Sequence, residues 1–208
     1  MATTARSIIE VTLSWIFANA KGHDAKSFYT RPALAGFKEQ TITVTSPDCG
    51  ESGSKFSIDY THDGTGRFPA LEWKAPSEIT SQVKQWLLVV EDPDAPLPTP
   101  ICHGIFPAIP PTKSSVEADD FTVVDSSKAL MKGGFHYCGS RTGAPYLPPR
   151  PLMNHGPHRY FFMVVGLKEQ LSESLLAPGT TRDQIAEAVE GKTVGWGMWT
   201  AVAERVWK

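Results

Sequence analysis

The chain has 208 residues, enough for one hydrophobic core and short of a natural two-domain length. Its 41% apolar and 20% charged content is that of a globular protein. A formal net charge of −2, without a Lys/Arg run or a basic–aromatic repeat, argues against nucleic acid or acidic lipid held by bulk charge, so anion recognition must be local to a pocket.

At the N-terminus, Arg6 followed by Ile8, Ile9, Val11, Leu13, Trp15, Ile16 and Phe17 imitates a secretion signal. Glu10 interrupts the run and one arginine is a thin basic region, which counts against that reading. Positions 8, 9, 13, 16 and 17 fall near one helical face, so residues 6–21 read as an amphipathic helix stopped by Gly22 and added to a single domain covering 1–208. No stretch is long and apolar enough to span a membrane. Residues 23–40 read as irregular. Ile42-Thr43-Val44-Thr45 alternates like a half-exposed strand, residues 47–54 are turn-rich, and Phe56 to Tyr60 alternates again.

Residues 85–91 and 160–167 are the most apolar segments and belong in the middle of a sheet. Thr181 to Gln184 has the spacing of a capping box, Ile185 and Val189 share a face, and Gly191 ends the segment; it is the one interior stretch that reads as a helix. Residues 195–206 form a last strand. Short strands between Pro/Gly turns, with helices at the ends, predict a mainly β fold: an antiparallel β-sandwich with peripheral helices. Cys49, Cys102 and Cys138 form no Cys-x-x-Cys pair and read as reduced thiols of a cytoplasmic protein.

The chemistry concentrates in two motifs. Asp92-Pro93-Asp94-Ala95-Pro96 is followed by His103, and Gly156-Pro157-His158-Arg159-Tyr160 stands later; each motif lies at the edge of an apolar run. Titratable groups where core strands meet loops are the sequence form of a ligand pocket. His158 and Tyr160 alternate onto one strand face, and Arg159 onto the other, where it is expected to pair with a carboxylate such as Asp94. Asp94, in a proline-stiffened turn, is expected to bond backbone amides. His155 stands in the loop before the motif, without a fixed direction. No His-x-His, His-x-x-x-His or Glu-x-x-His spacing supports a metal site, no glycine loop has a nucleotide-binding pattern, and no Gly-x-Ser-x-Gly turn supports a serine hydrolase. No cofactor is expected.

Together the motifs resemble the phosphatidylethanolamine-binding protein family, with Ile42 to Pro47, Ser52-Gly53-Ser54, Leu71-Glu72-Trp73 and residues 181–191 in family order, over roughly residues 40–206. The resemblance implies a large sheet packed on a smaller one, and a pocket for a small anion or a phospholipid head group built from Asp92, His103, His158 and Tyr160. Asp94, Pro96 and Arg159 belong to the same motifs as structural members. Histidines beside a carboxylate offer N–H donors and positive charge, and Tyr160 offers a phenolic O–H. Departures from the family pattern concern the loop 146–154. Pro148 replaces a glycine, Arg150 adds a planar fork for a carboxylate or phosphate, and Leu152 and Met153 make the wall more apolar. Only six residues separate Pro96 from His103.

Two functions follow. One is a binding module for an anionic small molecule, with a possible regulatory partner as in kinase- or protease-inhibiting relatives. The other is an enzyme. Gly22-His23-Asp24, residues 46–50 and Gly64 to Arg67 look most like fungal members of the family, some of which accompany secondary-metabolite pathways and are implicated in coupling maleic-anhydride monomers into maleidrides. In that case His103, His158 and Tyr160 would be the catalytic groups, and Asp92 and Arg150 ligand-binding ones.

Overall fold

The protein is described here from a computed structural model covering residues 2–207. In chain order its elements are α1 (Ala2–Ile16), α2 (Pro32–Ala35), β1 (Thr43–Thr45), β2 (Leu71–Lys74), α3 (Ser77–Thr80), β3 (Gln85–Asp92) and β4 (Ile101–Ile109). There follow β5 (Ser115–Val116), β6 (Val123–Asp125), β7 (Leu130–Met131), β8 (His158–Leu167), α4 (Arg182–Ala188) and β9 (Thr193–Ala203). Four long strands make the main sheet in the order β4-β3-β8-β9, every neighbour antiparallel. A smaller sheet, β1-β2-β5, packs on one face, and β6 pairs with β7 apart from both.

The main sheet is covered on both sides, which is why β3 and β8 read as unbroken apolar runs. Trp86, Leu88 and Val90 of β3, with Phe162 and Val164 of β8, face Leu71, Trp73 and Val116 of the small sheet. Their alternates Leu87, Val89, Phe161, Met163 and Val165 face Phe28, Leu34, Ile185 and Val189 from the helical side. Side chains of period two therefore fill two separate layers of core. Glu91 stands in the helical layer, fully buried. Its carboxylate accepts from Arg182 Nη1 at 2.6 Å and from the Phe28 N–H at 2.8 Å. Burial pushes that carboxyl upward, and Arg182 opposes the push.

On the outer edge of β9, Gly197 lets a second backbone come close. A Cβ there would stand 1.9 Å from the Ile42 carbonyl oxygen. The Ile42 N–H meanwhile donates to the Trp196 carbonyl at 3.0 Å, tying the segment before β1 onto the main sheet. Glycine in a strand serves here as a place of contact between backbones.

Several expectations change. Phe56 to Tyr60 is not a strand: Ile58–Tyr60 is a 3-10 turn, which buries Phe56 and Tyr60 on one side. Residues 23–40, expected to be irregular, carry two 3-10 turns and α2. The last strand starts at Thr193 and stops at Ala203. α4 begins where the capping box predicted, with the Gln184 N–H donating to Thr181 Oγ1 and the Thr181 N–H to Gln184 Oε1.

The N-terminal helix ends at Ile16 rather than near residue 21, and its polar side is the one turned inward. Glu10 and Ser14 are buried, whereas Ile9 is 60% and Trp15 82% exposed. The Glu10 carboxylate takes hydrogen bonds from Arg150 and from Arg205 Nη1, the latter at 2.7 Å, and Ser14 Oγ donates to the Met153 carbonyl at 2.6 Å. Two guanidiniums and a carbonyl on the body of the protein thus select the polar stripe, because a charge left unpaired at that surface would cost more than exposed apolar area.

Candidate functional site

Asp92 ends β3 and His158 begins β8. The antiparallel register, with Glu91 opposite Phe161, sets the two side by side. On the other flank of β3, Asp92 pairs with Ile101 of β4, two residues before His103. Tyr160 follows His158 on the same face. The sheet therefore gathers Asp92, His103, His158 and Tyr160 at one end, all buried.

Only part of that group borders open space. A cavity of about 330 Å³ is lined by Asp92 and His158, by Pro96 from the first motif, by Leu152, and by Leu13 and Phe17 from the N-terminal segment. His103 and Tyr160 lie behind it, their rings edge to face at 5.1 Å. His103 Nδ1 donates to the Leu147 carbonyl at 2.5 Å, so the neutral ring presents Nε2 as an acceptor. Burial lowers the imidazole's proton affinity. The expected cationic donor is therefore a neutral acceptor at this position. Tyr160 Oη and His103 Nε2 are buried with no protein partner in hydrogen-bond geometry among the described residues. Burial, and after it the nearby Asp92 charge, holds the Tyr160 phenol well above its usual range.

His158 is tied on both sides. Its Nδ1 bonds Asp92 Oδ2 at 2.9 Å and its Nε2 faces His155 Nδ1 at 2.7 Å, while His155 Nε2 bonds the Phe17 carbonyl at 2.9 Å. A carbonyl only accepts, so each of these three contacts needs its own proton. Two neutral imidazoles and a carboxylate supply two. The intact array therefore holds one proton more, shared along the Asp92–His158–His155 chain. Burial lowers the proton affinity of the His155 imidazole. Asp92 Oδ1 also accepts from the Asp94 N–H at 2.8 Å, fixing the carboxylate plane.

The remaining motif residues brace the turn. Asp94 accepts from the Arg159 N–H and from Nε and Nη2 of the same residue, each at 2.8 Å. The other edge of that guanidinium grips Asp24 at 2.8 and 2.9 Å. Burial alone would raise the Asp94 carboxyl, but the Arg159 hydrogen bonds bring it below its ordinary value. Arg159 thus sits away from the cavity.

Two readings of the loop 146–154 are corrected. Arg150 lines the cavity, but its Nη2 donates to Glu10, so its charge is already paired within the protein. Leu152 does line this cavity, whereas Met153 faces a separate depression beside Phe56 and Val206. His155, expected to lack a fixed direction, is buried within the array. The backbone explains it: Asn154 (φ 61°) and Gly156 (φ 83°) both take the left-handed conformation and fold residue 155 back onto His158. An Asn-x-Gly triplet running into the start of the motif was the available signal. Arg141 also lines the cavity and was not singled out. Among the described residues no cluster of three or more His, Cys, Asp or Glu side chains is placed to hold a metal ion.

Residues 46–204 match the phosphatidylethanolamine-binding protein family. The chain belongs to that family. Two fungal relatives bear the name phomoidride biosynthesis cluster protein B. The one from Talaromyces stipitatus is 37% identical over 202 residues, covering 96% of this chain and 82% of its own. The second, from a fungal species, is 37% identical over 203 residues, covering 96% of each chain. Both alignments exceed the 159 positions matched by the family, so the likeness includes the N-terminal segment that walls the cavity. Among solved structures, a family homologue from Chlamydia trachomatis aligns with a TM-score of 0.64 at 24% identity, covering 80% of this chain and 99% of that one. YbcL of E. coli aligns at 0.65 and 22%, covering 79% and 98%. At those identities the two structures establish the family fold alone. No helix among the described residues is long and apolar enough to cross a membrane.

Proposed function

We propose that this protein binds a carboxylate-bearing small molecule of fungal secondary metabolism in the 330 Å³ cavity and moves protons on it, as the coupling of maleic-anhydride units into a maleidride requires. The observation that carries this reading is the Asp92–His158–His155 array opening onto an apolar cavity. Coupling two such units needs a C–H proton removed from one, bond formation to the C=C of the other, and a proton returned to the resulting carbanion. Holding three protons, the array is a donor. With the bridging proton released to solvent, His158 Nε2 is the base that takes the C–H proton, Asp92 stabilises the imidazolium that reforms, and the reloaded array returns a proton to the carbanion.

Leu13, Phe17 and Leu152 supply the apolar wall, and the names of the two fungal relatives place those proteins in biosynthesis clusters. A phosphate head group, with more charge to satisfy, is the weaker fit, since Glu10 already neutralises Arg150 and leaves Arg141 as the one unpaired arginine on the wall among the described residues. The test is to incubate the purified protein with an alkylmaleic anhydride, with and without the matching dicarboxylate, and follow coupled product by mass spectrometry. Product formed by the wild type and lost in His158→Ala is expected. Binding of the dicarboxylate without turnover would reduce the role to capture, and absence of both would overturn the reading.

A further inference from the structure

A second cavity, of about 370 Å³, lies beside the first. The two share Leu97, Ile101 and Arg141 as a common wall. Cys102 and Cys138 line the new lobe, and burial pushes both thiols up to about 12, so it offers no nucleophile near neutral pH. Arg182 also lines it, but Glu91 occupies that guanidinium. Arg141 is different. Its side chain forms no hydrogen bond or ion pair with any described residue, yet its backbone is held in place: the N–H donates to the Cys102 carbonyl at 2.9 Å. The loop around it is closed by Ser140 N–H to the Ala144 carbonyl at 2.7 Å and Gly143 N–H to the Ser140 carbonyl at 2.9 Å. A cation on a braced loop thus stands at the junction of two cavities, each at the small end of the size that takes a single small molecule.

We infer that the two cavities form one two-lobed cleft that holds two carboxylated, apolar-tailed molecules side by side, with their anionic ends turned to Arg141. This rests on the carboxylate-binding reading above and adds to it a second subsite and the residue that unites the pair. Arg141 offers a planar donor fork reachable from either lobe, whereas Arg150 and Arg182 are already paired. The two lobes differ in one respect that suits a reaction between unlike partners: only the first contains His158 and Asp92. A molecule there meets the proton array, and its neighbour waits across the shared wall as the acceptor.

The stoichiometry of hexylmaleate on the intact chain decides the matter, read by native mass spectrometry and by calorimetric titration. Two equivalents are expected for the wild type. Thr180→Trp, which fills only the second lobe, is expected to leave one equivalent, and Leu152→Trp, which fills only the first, to leave the other. Ser140→Trp replaces Thr180→Trp if thermal melting shows that variant misfolded. Arg141→Gln should weaken both equivalents by about 10-fold or more, as expected for loss of a charge-assisted hydrogen bond. A single equivalent lost in either tryptophan variant would mean one ligand spanning both lobes and would overturn the two-molecule inference. A single equivalent indifferent to Thr180→Trp and Ser140→Trp would overturn it too, leaving the first-lobe reading intact. No binding by the wild type would overturn both.

Discussion

Replacing His158 breaks two of the three array contacts at once, so His158→Ala should lower coupling by about 100-fold or more, the scale of a lost acid–base group. His155→Ala also removes two of the three but leaves the Asp92–His158 pair at the cavity. A fall of about 10-fold is expected, and the pH–rate profile should move, because a partner in the shared-proton array is gone. Rates measured over about pH 5–8 for both variants separate the roles. Equal losses with an unmoved profile would show that His155 only fills space. His103 makes a different prediction, on stability. It is neutral in the folded protein and its proton affinity is lowered by burial, as is that of His155. At these two imidazoles the unfolded chain therefore binds more protons below about pH 6.5, and their contribution to stability, complete above that value, falls as pH drops towards the lowered folded values. Urea midpoints at about pH 8 and pH 5.5 should differ, and the difference should shrink in His103→Asn. A pH difference unchanged in His103→Asn would refute the assignment.

For the elements, the strength of individual tethers can be read from what their loss leaves behind. Glu10→Ala strips the carboxylate from Arg150 and Arg205 and should loosen α1 by about 2 kcal/mol, the range for hydrogen bonds to charged groups. Hydrogen exchange in α1 should quicken while β3 stays protected. Exchange unchanged in α1 would mean that other contacts seat it. Arg182→Ala leaves the Glu91 carboxylate buried without its partner and should cost about 3–5 kcal/mol, and the pair Glu91→Gln with Arg182→Met should recover much of that. β3, β8 and α4 were legible because each announces itself locally, by an apolar run bounded by turns or by a cap three residues from its partner. Phe56 to Tyr60 misled because alternation over five residues cannot be told from a turn that buries positions four apart. The inward polar face of α1 was illegible for another reason: Arg205, which selects it, lies 195 positions away.

The same distinction holds across the molecule. Asp92, His103, His158 and Tyr160 stood out because each sits in or beside a short motif, and sheet pairing then gathers them. The engagement of Arg150 by Glu10 and of His155 by Phe17 joins residues 140 and 138 positions apart, and nothing local marks them. Closure between the layers is tight at Gly197 beneath Ile42. Gly197→Ala has no room for its Cβ without moving the Ile42 backbone, so it should destabilise by roughly 1–3 kcal/mol, the range for inserting atoms into a packed interior. Denaturant unfolding measures this, and a loss under about 0.5 kcal/mol would show that the segment before β1 gives way freely.

The Phe17 carbonyl, which takes the last hydrogen bond from His155, gives ligand capture a calorimetric signature. A ligand that pushes residue 17 aside removes the terminal acceptor and opens the His155 ring to solvent, and the array then exchanges its extra proton with the medium. The measured heat of binding would include the ionisation heat of whatever buffer receives or supplies that proton. Titrations in phosphate and in Tris at one pH should differ in enthalpy while agreeing in affinity, with a slope against buffer enthalpy that counts the protons moved.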